Sequence, residues 1–362
     1  MSPAERSLIA LAGEETLRHK QTIAKALVEL EFARHPELEA RYGEIGREKS
    51  LQDAHYHLAY LANALAFDSE KLFVDYVEWA RLMLAHRGVL PADLAFHLEC
   101  MREVLQEHLS PEAGQEAARF LDAAIKAMPD MPEEALSYLE DDSPLSPLAH
   151  QYLRALLRGE RHIASRLVLD AVEQGTSVKA VYLAVFQPAQ REVGRLWQVN
   201  QISVAQEHYC TAATQLIMSQ LYPLLFEGER NGPTLVMTSV AGELHEIGAR
   251  MVADFFEMDG WNTFYTGANT PPDSIIQALI EHEAAVLGIS ATLTANIGAV
   301  EALVKKVRDH PRCGAVTILV GGYPFIQVPD LWQSVGADGS GVDAQQAIDT
   351  ARVLLAAQTG TL

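Results

Sequence analysis

From residue 232 onward the chain alternates short apolar runs with amphipathic stretches, and this alternation constrains the fold more than any other feature. "TLVMTSV", "WNTFYTG", "AAVLGISAT" and "AVTILVGG" are strand-length runs rich in Val, Ile, Leu and aromatic residues. "ELHEIGARMVADFFEMDG", "PPDSIIQALIEHE" and "NIGAVEALVKKVRDH" lie between them, with apolar residues at helical spacing. Such runs, joined by helices, predict a parallel, doubly wound α/β sheet over 232–362. Ligands of these sheets sit beyond the carboxyl ends of the strands, so the strand-end loops are where chemistry is expected.

The rest of the chain reads as helix. "LQDAHYHLAYLANALAF" and "LFVDYVEWARLMLAH" space their apolar residues by three and four, and residues 1–128 form one helical domain on this reading. "HRGVLPADL" supplies a glycine stop and a proline restart. Residues 129–147, proline-rich and acidic, are the expected linker. Residues 148–228 read as a four-helix bundle with breaks at Gly159, Gly175 and Asn200. The expected class is therefore α + α/β: a helical domain, a bundle and a Rossmann-like sheet domain.

Composition removes several functions. The 362 residues carry a formal net charge of −20 with no basic stripe, which argues against nucleic acid as a partner. Three cysteines without CxxC spacing argue against a disulfide framework or a zinc site. No apolar run has the length of a membrane span or the form of a signal peptide, so a cytoplasmic location without membrane contact is expected.

The strand ends carry the polar residues. "GELHEIG" follows the first strand, with Glu243, Leu244, His245 and Gly248. Ser290 follows Gly248 after 41 intervening residues, in "SAT" with Thr292, and Gly321 and Gly322 follow Thr292 after 28 more. Hydroxyls and bare backbone at neighbouring strand ends suit a deep slot. A GxGxxG turn after the first strand is missing, which weakens a dinucleotide reading.

This spaced pattern, ExHxxG then SxT then GG, resembles the DxHxxG–SxL–GG pattern of the cobalamin-binding domain of methionine synthase and its relatives. It departs at Glu243 (for Asp) and Thr292 (for Leu). The resemblance implies that His245 ligates cobalt from below and that Glu243 orients it. It also implies that Ser290, Thr292, Gly321 and Gly322 line the slot for the cofactor's nucleotide tail.

In the bundle, Trp197 is followed after nine residues by Glu207 and His208, with Val204 between them. This W-x9-EH feature resembles the cap of cobalamin-dependent light-sensing repressors of the CarH type. The resemblance implies adenosylcobalamin, its adenosyl group enclosed by Trp197, Val204, Glu207 and His208. Those repressors use a histidine directly after the tryptophan as upper ligand in the lit state, and here that position is Gln198. Their DNA-binding helices also have no counterpart.

Residues 1–128 hold seven of the 13 histidines, which makes them a candidate ligand-binding domain. Their helices are similar to globin-like sensor domains, and the overall order resembles photocobilins. That likeness implies a second chromophore such as biliverdin. Haem, with His57 or His97 as proximal ligand, and a plain dimerisation module remain open beside it. Cys100 is the candidate link to a bilin, although a buried helical cysteine is usually inert.

The reading that follows is a light sensor rather than an enzyme, in which loss of the adenosyl group rearranges the cap. It would signal as a homo-oligomer, expected as a dimer, or through a separate effector. The alternative is a corrinoid carrier for methyl transfer. A complete mutase is excluded, since no barrel of about 250 residues accompanies the sheet domain.

Overall fold

A computed structural model describes residues 3–139, 143–225, 232–358 and 360. Residues 140–142, in the expected linker, and 226–231, before the first strand, lie outside the described residues. Two compact units divide the chain. One comprises 1–133 with 293–298 and 327–334, and the other 134–292 with 299–326 and 335–362.

The first unit is built on α1 (Pro3–Arg34), α2 (Glu37–Ala66), α3 (Glu70–Ala85), α4 (Pro91–His108) and α5 (Pro111–Ala127). Gly88, at φ 86°, takes the left-handed conformation that lets the chain turn out of α3. Pro91 and Pro111 occupy the first turns of α4 and α5, where a missing N–H costs nothing. The apolar faces close on Leu58, Leu61, Leu65, Phe73 and Phe120, all fully buried.

The second unit begins with the bundle: α6 (Ser146–Leu157), α7 (Arg161–Glu173), α8 (Val178–Val181), a π turn (Tyr182–Phe186), α9 (Gln187–Gln198) and α10 (Val204–Leu221). The breaks expected at Gly159, Gly175 and Asn200 all have positive φ, at 74°, 98° and 57°. A capping box starts α10. The Ser203 hydroxyl accepts from Gln206 N–H, and the Gln206 side chain accepts from Ser203 N–H.

The sheet follows with β1 (Thr234–Ser239), α11 (Ile247–Met258), β2 (Asn262–Tyr265), α12 (Pro272–Glu281), β3 (Val286–Ser290) and α13 (Ile297–Asp309). It continues through β4 (Thr317–Gly321), α14 (Tyr323–Gln327), β5 (Gly339–Ser340) and α16 (Ala344–Gln358), while α15 (Leu331–Ser334), between α14 and β5 in the chain, belongs to the first unit. Its order is β2-β1-β3-β4-β5, and every pair is parallel. The fold class is thus the expected helical plus doubly wound α/β arrangement. β5 was not foreseen, because two residues carry no periodic signal. Among the described residues no helix is long and apolar enough to cross a membrane.

The π turn has a structural use. Its extra residue per turn aims the Tyr182 hydroxyl at Asp254 on α11, donating at 2.7 Å inside a buried site. Burial pushes the Asp254 carboxyl up to about 6, against the opposing bond from Tyr182. The folded state therefore binds this proton more tightly than the unfolded chain. Asp254 contributes most below pH 4, and that contribution is lost as pH rises to about 6. Asp254→Asn keeps an acceptor for Tyr182 and removes the titration. Relative to the variant, the parent should lose roughly 1–3 kcal/mol between pH 4 and pH 7, read from denaturant midpoints across that range. Parallel pH profiles for the two proteins would contradict this.

Candidate functional site

Three strands end side by side at the carboxyl edge of the sheet. Ser239 of β1 is in register with Ser290 of β3, and Ser290 with Gly321 of β4. The loop after β1 runs to Glu246 and carries Glu243, Leu244 and His245.

Glu243 is wholly buried, and its carboxylate organises the loop. Its Oε1 accepts from His245 N–H at 3.0 Å and lies 2.6 Å from His245 Nδ1. Its Oε2 accepts from Thr292 N–H at 2.8 Å, which ties the β1 loop to the end of β3. The bond from Glu243 Oε1 to the ring raises the His245 imidazole above its ordinary value, against the effect of burial, and the Glu243 and Glu207 charges add to it. The carboxylate takes Nδ1, so Nε2 of a ring whose side chain is 55% exposed is the nitrogen presented outward. Thr292 thus acts through its backbone, not only as a slot wall.

The glycine pair has two distinct roles. At Gly322, φ is +105° and a Cβ would stand 2.0 Å from the Ala291 carbonyl oxygen, so only glycine lets the chain pass there. At Gly321 a Cβ would meet Gly341 O at an ordinary 3.6 Å, so that glycine keeps space open. A Cβ on Gly248 would meet nothing within 4 Å, which leaves the first turn of α11 bare.

Sequence reading missed two residues here. Ser239 is fully buried, and its Oγ has no hydrogen-bond partner, an orphan at the strand end beside Ser290. Glu246 accepts from Gln215 of α10, Ala268 N–H and Tyr265, pinning bundle and loop together. Glu246 stood inside "GELHEIG", and its adjacency to His245 was the available signal. Ser239 showed only as a polar residue closing an apolar run.

The bundle places its residues at one helical corner. Trp197 is in the last turn of α9, partly buried against the core. Val204, Glu207 and His208 are in the first turns of α10, with Val204 and His208 exposed. The nine intervening residues thus span the corner between two helices: the last residue of α9, the turn 199–203 and the first three residues of α10. His208 Nδ1 is bonded to Glu207, and Thr211 donates to that same glutamate at 3.2 Å.

In the first unit, His97 Nδ1 lies 3.1 Å from Glu31, and His57 Nδ1 lies 2.7 Å from the Tyr76 hydroxyl. The two rings are 5.1 Å apart, and Tyr60 stacks on Tyr76 at 3.7 Å. Burial, with His97 nearby, holds His57 well below its ordinary value. Among the neighbouring aromatics, Phe73 and Tyr76 are buried while Tyr56 and Trp79 are exposed. Cys100 is buried with its thiol pushed up to about 11, a poor nucleophile. No group of three or more metal-ligating side chains occurs among the described residues.

A buried carboxylate holding an outward imidazole, an orphan hydroxyl and a strand end without a side chain at Gly321 fit the lower face and tail of a cobalamin. The fold and the site together define a cobalamin-binding architecture. Residues 233–349 match the model of the B12 binding domain, and residues 148–222 match a second B12 binding domain model. Residues 10–128 match the model of the phycobilisome protein family. A corrinoid protein of Desulfitobacterium hafniense is 23% identical over 214 residues, covering 58% of this chain and 97% of its own length. Monomethylamine corrinoid protein 1 of Methanosarcina acetivorans is 25% identical over 199 residues, covering 53% of this chain and 88% of its own. The solved Methanosarcina barkeri monomethylamine corrinoid protein superposes with a TM-score of 0.51 at 18% identity, covering 58% of this chain and 98% of its own, a likeness of fold.

Proposed function

We propose that this chain is a corrinoid-holding protein, not itself a catalyst, in which the sheet domain grips a cobalamin and the bundle covers its upper face. The observation that carries this reading is the Glu243–His245 pair, a wholly buried carboxylate fixing the tautomer of an exposed imidazole at the sheet's ligand edge. His245 would hold the cobalt from below. Ser239, Ser290 and Gly321 would receive the tail, and Leu244 and Gly248 would border the corrin. Trp197, Val204, Glu207 and His208 would cover the group above and exclude water from it. The bound cofactor supplies a cobalt that carries an exchangeable alkyl group.

Two fates of that group are distinguishable. Hand-over to a partner methyltransferase is the reading the relatives favour, since they include monomethylamine and dimethylamine corrinoid proteins. Release of an adenosyl group by light is the second reading, supported by the W-x9-EH feature of the bundle, and the match of residues 10–128 to the phycobilisome protein model supports a pigment-holding first unit beside it. On that reading biliverdin is the second chromophore of the first unit. The signal then leaves through a homodimer or an effector protein.

The test is to prepare the full chain with methyl- or adenosylcobalamin, with and without biliverdin, and follow absorption in darkness and green light. Rapid loss of the adenosyl spectrum in light, from a form stable in darkness, supports the sensor. Inertness to light, with methyl loss only on adding a methyltransferase partner, supports the carrier. Failure to take up any cobalamin sinks both. Within the same experiment, Trp197→Ala should retain cobalamin while lowering the preference for adenosyl over methyl forms about tenfold, the order expected for one lost aromatic contact. Equal discrimination by parent and variant would count against the cap.

A further inference from the structure

Two imidazoles of the second unit share one arrangement. His245 Nδ1 is tied to Glu243, and His208 Nδ1 is tied to Glu207. In each pair the carboxylate accepts the Nδ1 proton, which leaves Nε2 as an electron-pair donor.

The second pair is unexpected on a helix. Neighbouring residues on a helix point about 100° apart and do not face each other, so the contact forms only when the His208 ring folds back over Glu207. The His208 side chain is 75% exposed, so the carboxylate rather than packing sets its position. Glu207 also accepts from Thr211, one turn further along α10, which holds its carboxylate on that helix. Gln215, two turns further along α10 and on the same face as His208, donates to Glu246, the residue after His245, at 2.8 Å. Gln198, at the position of the upper ligand in the light-sensing repressors, is 8% exposed and offers an amide, a poor donor to cobalt.

We propose that His208 is the upper cobalt ligand of the form that carries no alkyl group, oriented by Glu207, so that the chain closes an imidazole on each face of the corrin. This rests on the corrinoid reading above. The chemistry would be a ligand exchange at cobalt(III) in the water-bound, alkyl-free form: His208 Nε2 would supply its electron pair as the bound water departs with its own, and no electrons would change hands. In the alkylated form the same ring borders the alkyl group.

The test uses the full chain loaded with hydroxocobalamin and titrated with azide, followed by visible absorption. The parent should resist azide, while His208→Ala should bind it at least about tenfold more tightly. Glu207→Gln should fall between them, as expected for loss of an orienting partner. Gln198→Ala should behave as the parent. Equal azide affinity in the parent and His208→Ala overturns the proposal, as does a shift caused by Gln198→Ala in place of His208→Ala. Paramagnetic resonance of the reduced cobalt(II) form separates the two levels. An axial nitrogen signal in both parent and His208→Ala leaves the corrinoid reading standing whatever azide does. Its absence from the parent overturns that reading and this proposal together.

Discussion

Replacing His245 with alanine is expected to lower cobalamin affinity by about 100-fold or more and to erase the axial nitrogen signal of the reduced cobalt, because partners of such ligands alone are worth 10–100-fold. The loop should survive the change. Glu243 keeps two backbone donors, the N–H groups of residue 245 and Thr292 at 3.0 and 2.8 Å, when the imidazole is gone. The loss therefore reports coordination rather than unfolding, and circular dichroism of the variant should match the parent. Glu243→Ala is the contrasting case. It removes the anchor of both strand ends, so affinity and stability should fall together. Equilibrium titration with hydroxocobalamin and resonance of the reduced form measure the effect. An unchanged nitrogen signal in His245→Ala would remove His245 from the site.

The second large effect is expected at Gly322, and it falls on the fold. An added Cβ would stand 2.0 Å from Ala291 O and 2.8 Å from Ala291 C, both backbone atoms of the neighbouring strand end. Neither can swing away as a side chain can. The positive φ adds strain of its own. Strained backbone and overpacking each cost about 1–3 kcal/mol, so Gly322→Ala should lose about 3–5 kcal/mol, read as a fall in urea midpoint. Gly321→Ala is the control. Its Cβ would lie at van der Waals distance from Gly341 O, so stability should change by less than about 1 kcal/mol while cobalamin affinity falls. A Gly322→Ala protein as stable as its parent would show that β3 and β4 can part at no cost.

The first strand shows the limits of sequence reading. Its apolar run announced β1, and "GELHEIG" announced a polar loop after it, because both signals are properties of consecutive residues. The same run concealed Ser239, whose orphan hydroxyl becomes meaningful only when Ser290 lies in register beside it. At α9 and α10, the W-x9-EH spacing was legible as a pattern. That it spans a helical corner, with Gln215 of α10 bonded to Glu246 beside His245, depends on how the bundle packs on the sheet domain.

Periodicity and turn residues thus settled the parallel sheet and the helices before it, and motif spacing marked the strand ends that carry the candidate site, since each records the path of the backbone over a few turns. Tertiary structure alone decided that Glu243 reaches Thr292 across 49 positions, that Tyr182 meets Asp254 across 72, and that His97 finds Glu31 across 66. Hydrogen bonds act over about 3 Å, whereas separations of that length in an unfolded chain correlate nothing. Which carboxylate meets which imidazole is therefore fixed only once the cores have closed and burial has made each unpartnered polar group costly.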